Sequence, residues 1–162
     1  MTFPRSLIPL VASLAACSAG NPPPEGFVEA CYGGDWNKRM VGLAPVWSAD
    51  LTIDDDDLPT LRTVFAGIAA EYSVKHYDVG EKFIEVRPID IYLCSEEGLF
   101  VSATKLGRRS PIKPVMINIF VYEPDYKWEP IGQDLRLALV AKWPESLDET
   151  PSRTSELRNS LL

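Results

Sequence analysis

The chain contains few side chains that could act as nucleophiles or as soft metal ligands. Its 162 residues include one histidine, His76, and three cysteines, Cys17, Cys31 and Cys94. A catalytic Ser or Cys needs a base beside it, and a metal site needs several such ligands together. The motifs GxSxG, HExxH, GxxxxGK[ST] and GxGxxG do not occur in the sequence. The sequence therefore predicts no catalytic residue of these types, no metal site and no cofactor.

Four consecutive aspartates, Asp54 to Asp57, could hold calcium or begin a helix. An EF-hand loop needs alternating oxygen ligands, a Gly at its sixth position and a Glu at its twelfth, whereas Leu58 and Pro59 follow this run directly. Aspartates at a helix start cap free N–H groups and oppose the positive end of the helix dipole. We therefore interpret the run as a helix N-cap. A hydrolase built on other Asp and Glu side chains stays open, because their separation in space is unknown.

Two segments are candidate binding sites on a chain whose formal net charge is -7. That charge disfavours a nucleic-acid binder that neutralises phosphates. Residues 105–113 (KLGRRSPIK) are locally basic and could meet anionic lipid headgroups, lipopolysaccharide phosphate or an acidic protein surface. They could also be a solvated loop that prevents aggregation. A Pro-stiffened connection with three aromatic residues, Tyr122, Tyr126 and Trp128, could anchor a protein or glycan, or fold back over the core. The candidate binding residues are Lys105, Arg108, Arg109, Lys113, Tyr126 and Trp128.

The amino terminus has the pattern of a secretory signal. Residues 1–5 carry one positive charge, and residues 6–16 (SLIPLVASLAA) form an apolar run that ends in small residues and is too short to span a membrane. The run ends in Leu14-Ala15-Ala16-Cys17, which resembles the lipobox of bacterial lipoproteins. The resemblance covers about the first twenty residues. It implies removal of residues 1–16 and attachment of a diacylglyceryl group to Cys17.

The lipobox resemblance also implies a location. Ser18 after the lipidated cysteine, in place of the Asp that retains enteric lipoproteins in the inner membrane, implies an outer-membrane lipoprotein facing the periplasm. Residues 17–26, which contain three consecutive prolines, are predicted to form a stiff spacer. We expect a globular domain over 27–147 and a polar tail over 148–162.

If Cys17 is acylated, Cys31 and Cys94 remain in a compartment where disulfides persist. A disulfide between these two cysteines is the simplest interpretation, and two free buried thiols are the alternative.

Hydrophobic periodicity predicts the elements of the body. Apolar residues recur at spacings of three and four over about 56–76, which predicts an amphipathic helix ending near His76. Segment 131–143 fits both a helix and a strand, and its helix-forming composition favours a helix. The tail from 145 is expected to be loose or marginally helical. Strands are predicted over 46–53, 83–94 with a phase slip at Pro88, 99–105 after a turn at 95–98, and 115–122, the last in the sheet interior.

The predicted fold class is therefore α+β, with an antiparallel sheet of three to five strands packed against the helix at 56–76 and a second helix near 131–143. The predicted function is that of a membrane-anchored periplasmic lipoprotein that acts by binding, in envelope assembly, as an inhibitor or in an immunity-type role. The alternative function is a small periplasmic hydrolase that uses Asp and Glu side chains.

Overall fold

The structure is a computed structural model that describes Cys31 and residues 42–78, 89–105 and 114–150. The predicted α+β class is confirmed, with two helices and one antiparallel sheet. The elements in chain order are β1 (Trp47–Leu51), a 3-10 turn (Asp55–Asp57), α1 (Leu58–Tyr72), β2 (Lys75–Asp78), β3 (Ile89–Ser95), β4 (Leu99–Lys105), β5 (Val115–Val121), α2 (Glu129–Lys142) and β6 (Leu147–Thr150).

The sheet has six strands in the order β2-β3-β4-β5-β1-β6, so the prediction of three to five strands is too low. The two strands that the periodicity does not predict, β2 (KHYD) and β6 (LDET), lie at the two edges of the sheet. Both are short and polar, because an edge strand buries little of its surface. The predicted interior position of β5 is confirmed, since it pairs with β4 on one side and β1 on the other.

The hydrophobic core lies between one face of the sheet and the two helices. In β5, alternate residues Val115, Ile117 and Ile119 are buried on this face, whereas Met116 on the other face is exposed. The helices contribute residues spaced by three and four, as a helix that buries one stripe requires. They are Leu58, Leu61, Phe65, Ile68 and Ala69 of α1 and Ile131, Leu135 and Leu139 of α2.

The helix predicted over 56–76 is confirmed as α1 but is shorter at both ends. Ser73 adopts a left-handed conformation, with φ of 53°, and its N–H and that of Val74 donate to carbonyls of the last helical turn. The chain then continues as β2, whose backbone pairs with β3. The prediction that His76 ends the helix is therefore wrong, because His76 is an exposed residue of an edge strand.

The ambiguous segment 131–143 is helical, as its composition favours, and forms most of α2. The expectation of a loose or marginally helical tail from 145 is wrong for residues 147–150, which pair with β1 as β6. Several predictions concern residues outside the described ranges: the signal at 1–16, Cys17, the spacer at 17–26, the phase slip at Pro88, and residues 151–162. Among the described helices, none is both long and apolar enough to cross a membrane.

Candidate functional site

The antiparallel sheet has two ends that carry different features. At one end, Ser95 pairs with Leu99, and Leu99 pairs with Val121; we call this the disulfide end. At the other, which we call the Lys105 end, Ile89 pairs with Lys105, and β5 begins. The six residue steps from Leu99 to Lys105 separate the two ends by about 20 Å.

Cys31 and Cys94 form a disulfide at the disulfide end, with their Cα atoms 5.1 Å apart. The predicted pairing is thus confirmed, and free thiols at these two positions are excluded. Both cysteines are fully buried on the sheet face opposite the helices, in a small cluster with Phe100. Around it, the rings of Tyr92 and Phe100 stack with centroids 5.5 Å apart. The disulfide therefore joins the segment around Cys31 to an aromatic part of the sheet.

Tyr122 holds the same segment through a second, noncovalent link. Its hydroxyl lies 2.8 Å from the carbonyl oxygen of Cys31 and also contacts the carbonyl oxygen of Ser95, so one O–H is shared between two acceptors. Tyr122 directly follows β5, and Ser95 ends β3. We call the disulfide and the Tyr122 hydroxyl together the clasp, because they attach Cys31 to two strands. The sequence indicates Tyr122 as one of three aromatic residues on a surface connection, and it gives no signal for this bridge.

Lys105, one of the predicted binding residues, forms an ion pair within the domain. Its side chain is only 6 % exposed, and its Nζ lies 3.1 Å from Oδ1 of Asp55, whose side chain is 75 % exposed. The pair joins the end of β4 to the 3-10 turn before α1. The aspartate run does precede the helix as expected, but Asp54 and Asp57 make no side-chain capping hydrogen bond. The N-cap interpretation is therefore wrong for these two side chains. Asp55 instead forms an ion pair with Lys105.

Arg108, Arg109 and Lys113 lie outside the described residues. The strands on either side of these three residues are described. β4 ends at Lys105, and β5 begins at Val115. Both of these strand ends lie at the Lys105 end, opposite the clasp.

Tyr126 and Trp128 fold back over the core, which is the second of the two arrangements that the sequence leaves open. Both are half-buried and pack against the main cluster. A Cβ at Gly132 would lie 2.7 Å from the Trp128 ring, so the absence of a side chain there makes room for the indole. Burial raises the pKa of Tyr126 above its ordinary value. The surface that these two rings can offer to a partner is therefore smaller than that of a fully exposed aromatic residue.

A shallow groove of about 420 Å³ runs between the outer faces of α1 and α2. Its lining contains one carboxylate and one ammonium group, Glu71 and Lys142. The helices are also joined by the Tyr72 hydroxyl, which donates to Oδ2 of Asp134 at 2.5 Å. This hydrogen bond to a carboxylate stabilises the neutral phenol and raises the pKa of Tyr72 to about 12. The remaining lining residues are Thr60, Thr63, Val64, Gly67, Ile68 and Ala138.

Over 42–78, 89–105 and 114–150, together with Cys31, no three His, Cys, Asp or Glu side chains converge as a metal site would require. Comparison of the chain with protein-family models, curated proteins and solved structures finds no match.

Proposed function

We propose that the chain is a lipoprotein, anchored through acyl chains on Cys17 in the outer membrane, whose periplasmic domain binds an envelope partner. The observation that carries this proposal is the use of the three cysteines. Cys31 and Cys94 pair with each other, and the remaining cysteine follows Leu14-Ala15-Ala16 at the end of the apolar signal. A buried disulfide supports export, because disulfides persist in oxidising compartments.

The anchor supports a binding role through local concentration. Lipidation with more than one acyl chain gives stable attachment, whereas a single chain gives only marginal attachment. A domain held on a short tether meets partners in the same membrane at a high effective concentration, so modest affinity is sufficient.

The lining of the groove between the helices does not fit glycoside hydrolysis by paired carboxylates. Glycoside hydrolysis by carboxylates requires two of them on either side of the scissile bond. Among the described residues that line the groove, Glu71 is the one carboxylate, and it faces a lining of threonine, glycine and aliphatic side chains.

We propose Arg108, Arg109 and Lys113 as the residues that contact an acidic partner surface. Lys105 is not included, because its ammonium group is used by Asp55. Charged groups of this kind contribute mainly to specificity and association rate, so binding through them is expected to weaken with salt.

The anchor is tested by labelling cells with radioactive palmitate and isolating the wild-type and Cys17→Ser proteins. We expect label on the wild type, no label on the variant, and accumulation of the precursor when globomycin blocks the lipoprotein signal peptidase. Maturation that is insensitive to globomycin, or a wild-type product without palmitate, contradicts the proposal.

The binding role is tested by affinity capture of the lipidated protein from detergent-solubilised envelopes. We expect one partner to be recovered reproducibly, and its recovery to fall in an Arg108→Ala, Arg109→Ala variant. The matched control is Lys75→Ala, Lys127→Ala, which removes the same charge from exposed positions at the disulfide end. Recovery of bulk envelope proteins alone, or equal losses in the two variants, contradicts the proposed contact.

A further inference from the structure

The clasp holds the lipid-linked segment at Cys31, at the same end of the sheet at which the chain enters β1 through Trp47. Cys31 follows Cys17 by about 14 residues, a segment that spans at most about 50 Å when fully extended. Cys31 is bonded covalently to β3 through Cys94, and its carbonyl accepts from Tyr122 beyond the end of β5. Both links lie at the disulfide end. The length of the tether therefore limits how far this end of the domain can lie from the membrane.

The opposite end of the sheet is held by different residues. Lys105 ends β4 and binds Asp55, so the exposed aspartates before α1 lie at the Lys105 end. The six residue steps of β4 place this end about 20 Å further along the sheet than the clasp.

We infer that the anchored domain has a preferred orientation, with the disulfide end towards the lipid surface and the Lys105 end away from it. This inference rests on the proposed lipid anchor at Cys17. The physical reason for the orientation is that the tether limits the distance between the membrane and the point where the tether meets the domain. The Lys105 end is separated from that point by the length of the sheet. The orientation turns the end of β4 at Lys105 and the start of β5 at Val115 away from the lipid.

The orientation is measured by energy transfer from a fluorophore on the domain to acceptor-labelled headgroups. The full lipidated protein is placed in vesicles of phosphatidylethanolamine and phosphatidylglycerol with a single donor at Glu97→Cys or at Asp56→Cys. Both positions are exposed; Glu97 lies in the β3–β4 turn, and Asp56 lies before α1. We expect the donor at 97 to be nearer to the headgroups, by at most the roughly 20 Å that separate the two ends of the sheet. Equal distances, or a donor at 56 that is nearer, overturn the inference.

A variant with an open clasp tests the cause of the orientation. In Cys31→Ser, Cys94→Ser the tether is no longer bonded to β3 and is next held at the start of β1, 16 positions after Cys31. This longer tether should reduce the difference between the two donors. Tyr122→Phe, which removes only the hydroxyl link, gives a smaller loss and serves if the double variant fails to fold. A difference that is unchanged in both variants overturns the role of the clasp.

The failure of this inference and the failure of the anchor are distinguishable by flotation of the vesicles. If the wild-type protein does not float with vesicles and behaves as Cys17→Ser does, the proposed anchor is wrong. If the wild-type protein floats but its two donors are equally distant from the headgroups, only the orientation is wrong.

Discussion

Gly98 lies at the disulfide end, where the β3–β4 turn contacts the connection between β5 and α2. Its φ of 142° is one that L side chains rarely adopt, and its carbonyl accepts from the Tyr122 N–H at 2.9 Å. A Cβ at this position would lie 2.7 Å from the Glu123 Cβ and 3.0 Å from the Tyr126 Cβ. The β3–β4 turn therefore packs against the β5–α2 connection through a residue that has no side chain. The sequence predicts the turn at 95–98, but local sequence carries no information about the segment that packs against it.

We expect Gly98→Ala to lower the free energy of unfolding by about 2–4 kcal/mol, because backbone strain and overpacking add. Urea denaturation measures the change. The matched control is Gly67→Ala in α1, where a new Cβ meets nothing within 4 Å. This control should raise the stability by about 0.5–1 kcal/mol, since Ala is the better helix former. A Gly98→Ala protein as stable as the control contradicts the packing described.

Tyr72 gives the stability a specific pH dependence. Its ordinary pKa is near 10, and the hydrogen bond to the Asp134 carboxylate raises the pKa in the folded protein to about 12. Since the folded state favours the protonated phenol, the stabilisation is fully present below pH 10 and is lost as the pH rises from about 10 to 12. We expect the stability difference between wild type and Tyr72→Phe to shrink over this range. Thermal unfolding of both proteins at several pH values measures it, and parallel pH profiles contradict the assignment.

At the scale of the elements, the Lys105–Asp55 pair connects the end of β4 to the start of α1. An ammonium group that is nearly fully buried needs its partner, because an unpaired buried charge is costly. Asp55 itself is mostly exposed, which weakens the pair relative to one that is buried on both sides. Local sequence predicts the helix start and the strand end separately, and only their packing brings the two charges together.

We expect Asp55→Ala to destabilise the protein by about 1–3 kcal/mol, because Lys105 loses its partner. Asp54→Ala removes an equal charge from a neighbouring position that makes no capping hydrogen bond, and should cost less than about 0.5 kcal/mol. Urea denaturation of both variants isolates the pair, since the helix-dipole effect is similar in the two. Equal effects of the two substitutions contradict a specific role for Asp55.

At the level of the whole molecule, the disulfide closes a long loop of the chain. Its cysteines are separated by 63 positions and join the segment before β1 to β3, across α1 and β2. A cross-link over such a loop restricts the unfolded chain strongly, so its effect is on global stability.

Replacing both Cys31 and Cys94 with Ala should lower the free energy of unfolding by about 4 kcal/mol in the chain-entropy model. Guanidinium denaturation of the full chain measures this loss. The third cysteine provides the control, because Cys17→Ser is expected to leave the unfolding midpoint unchanged. A comparable loss in Cys17→Ser, or no loss in the double variant, contradicts the assignment of the three cysteines.

Local periodicity in the sequence predicts the elements whose residues bury a regular stripe: α1, β1, β3, β4 and β5, and the helical preference of α2. The lipobox resemblance, which sets Cys17 aside, predicts the cysteine pair. These inferences need no knowledge of distant contacts. That KHYD and LDET are strands follows only from the folded arrangement, because a polar edge strand is held by backbone hydrogen bonds to its neighbour. The same holds for the burial of Lys105 and the bridge from Tyr122, because each depends on residues far away along the chain.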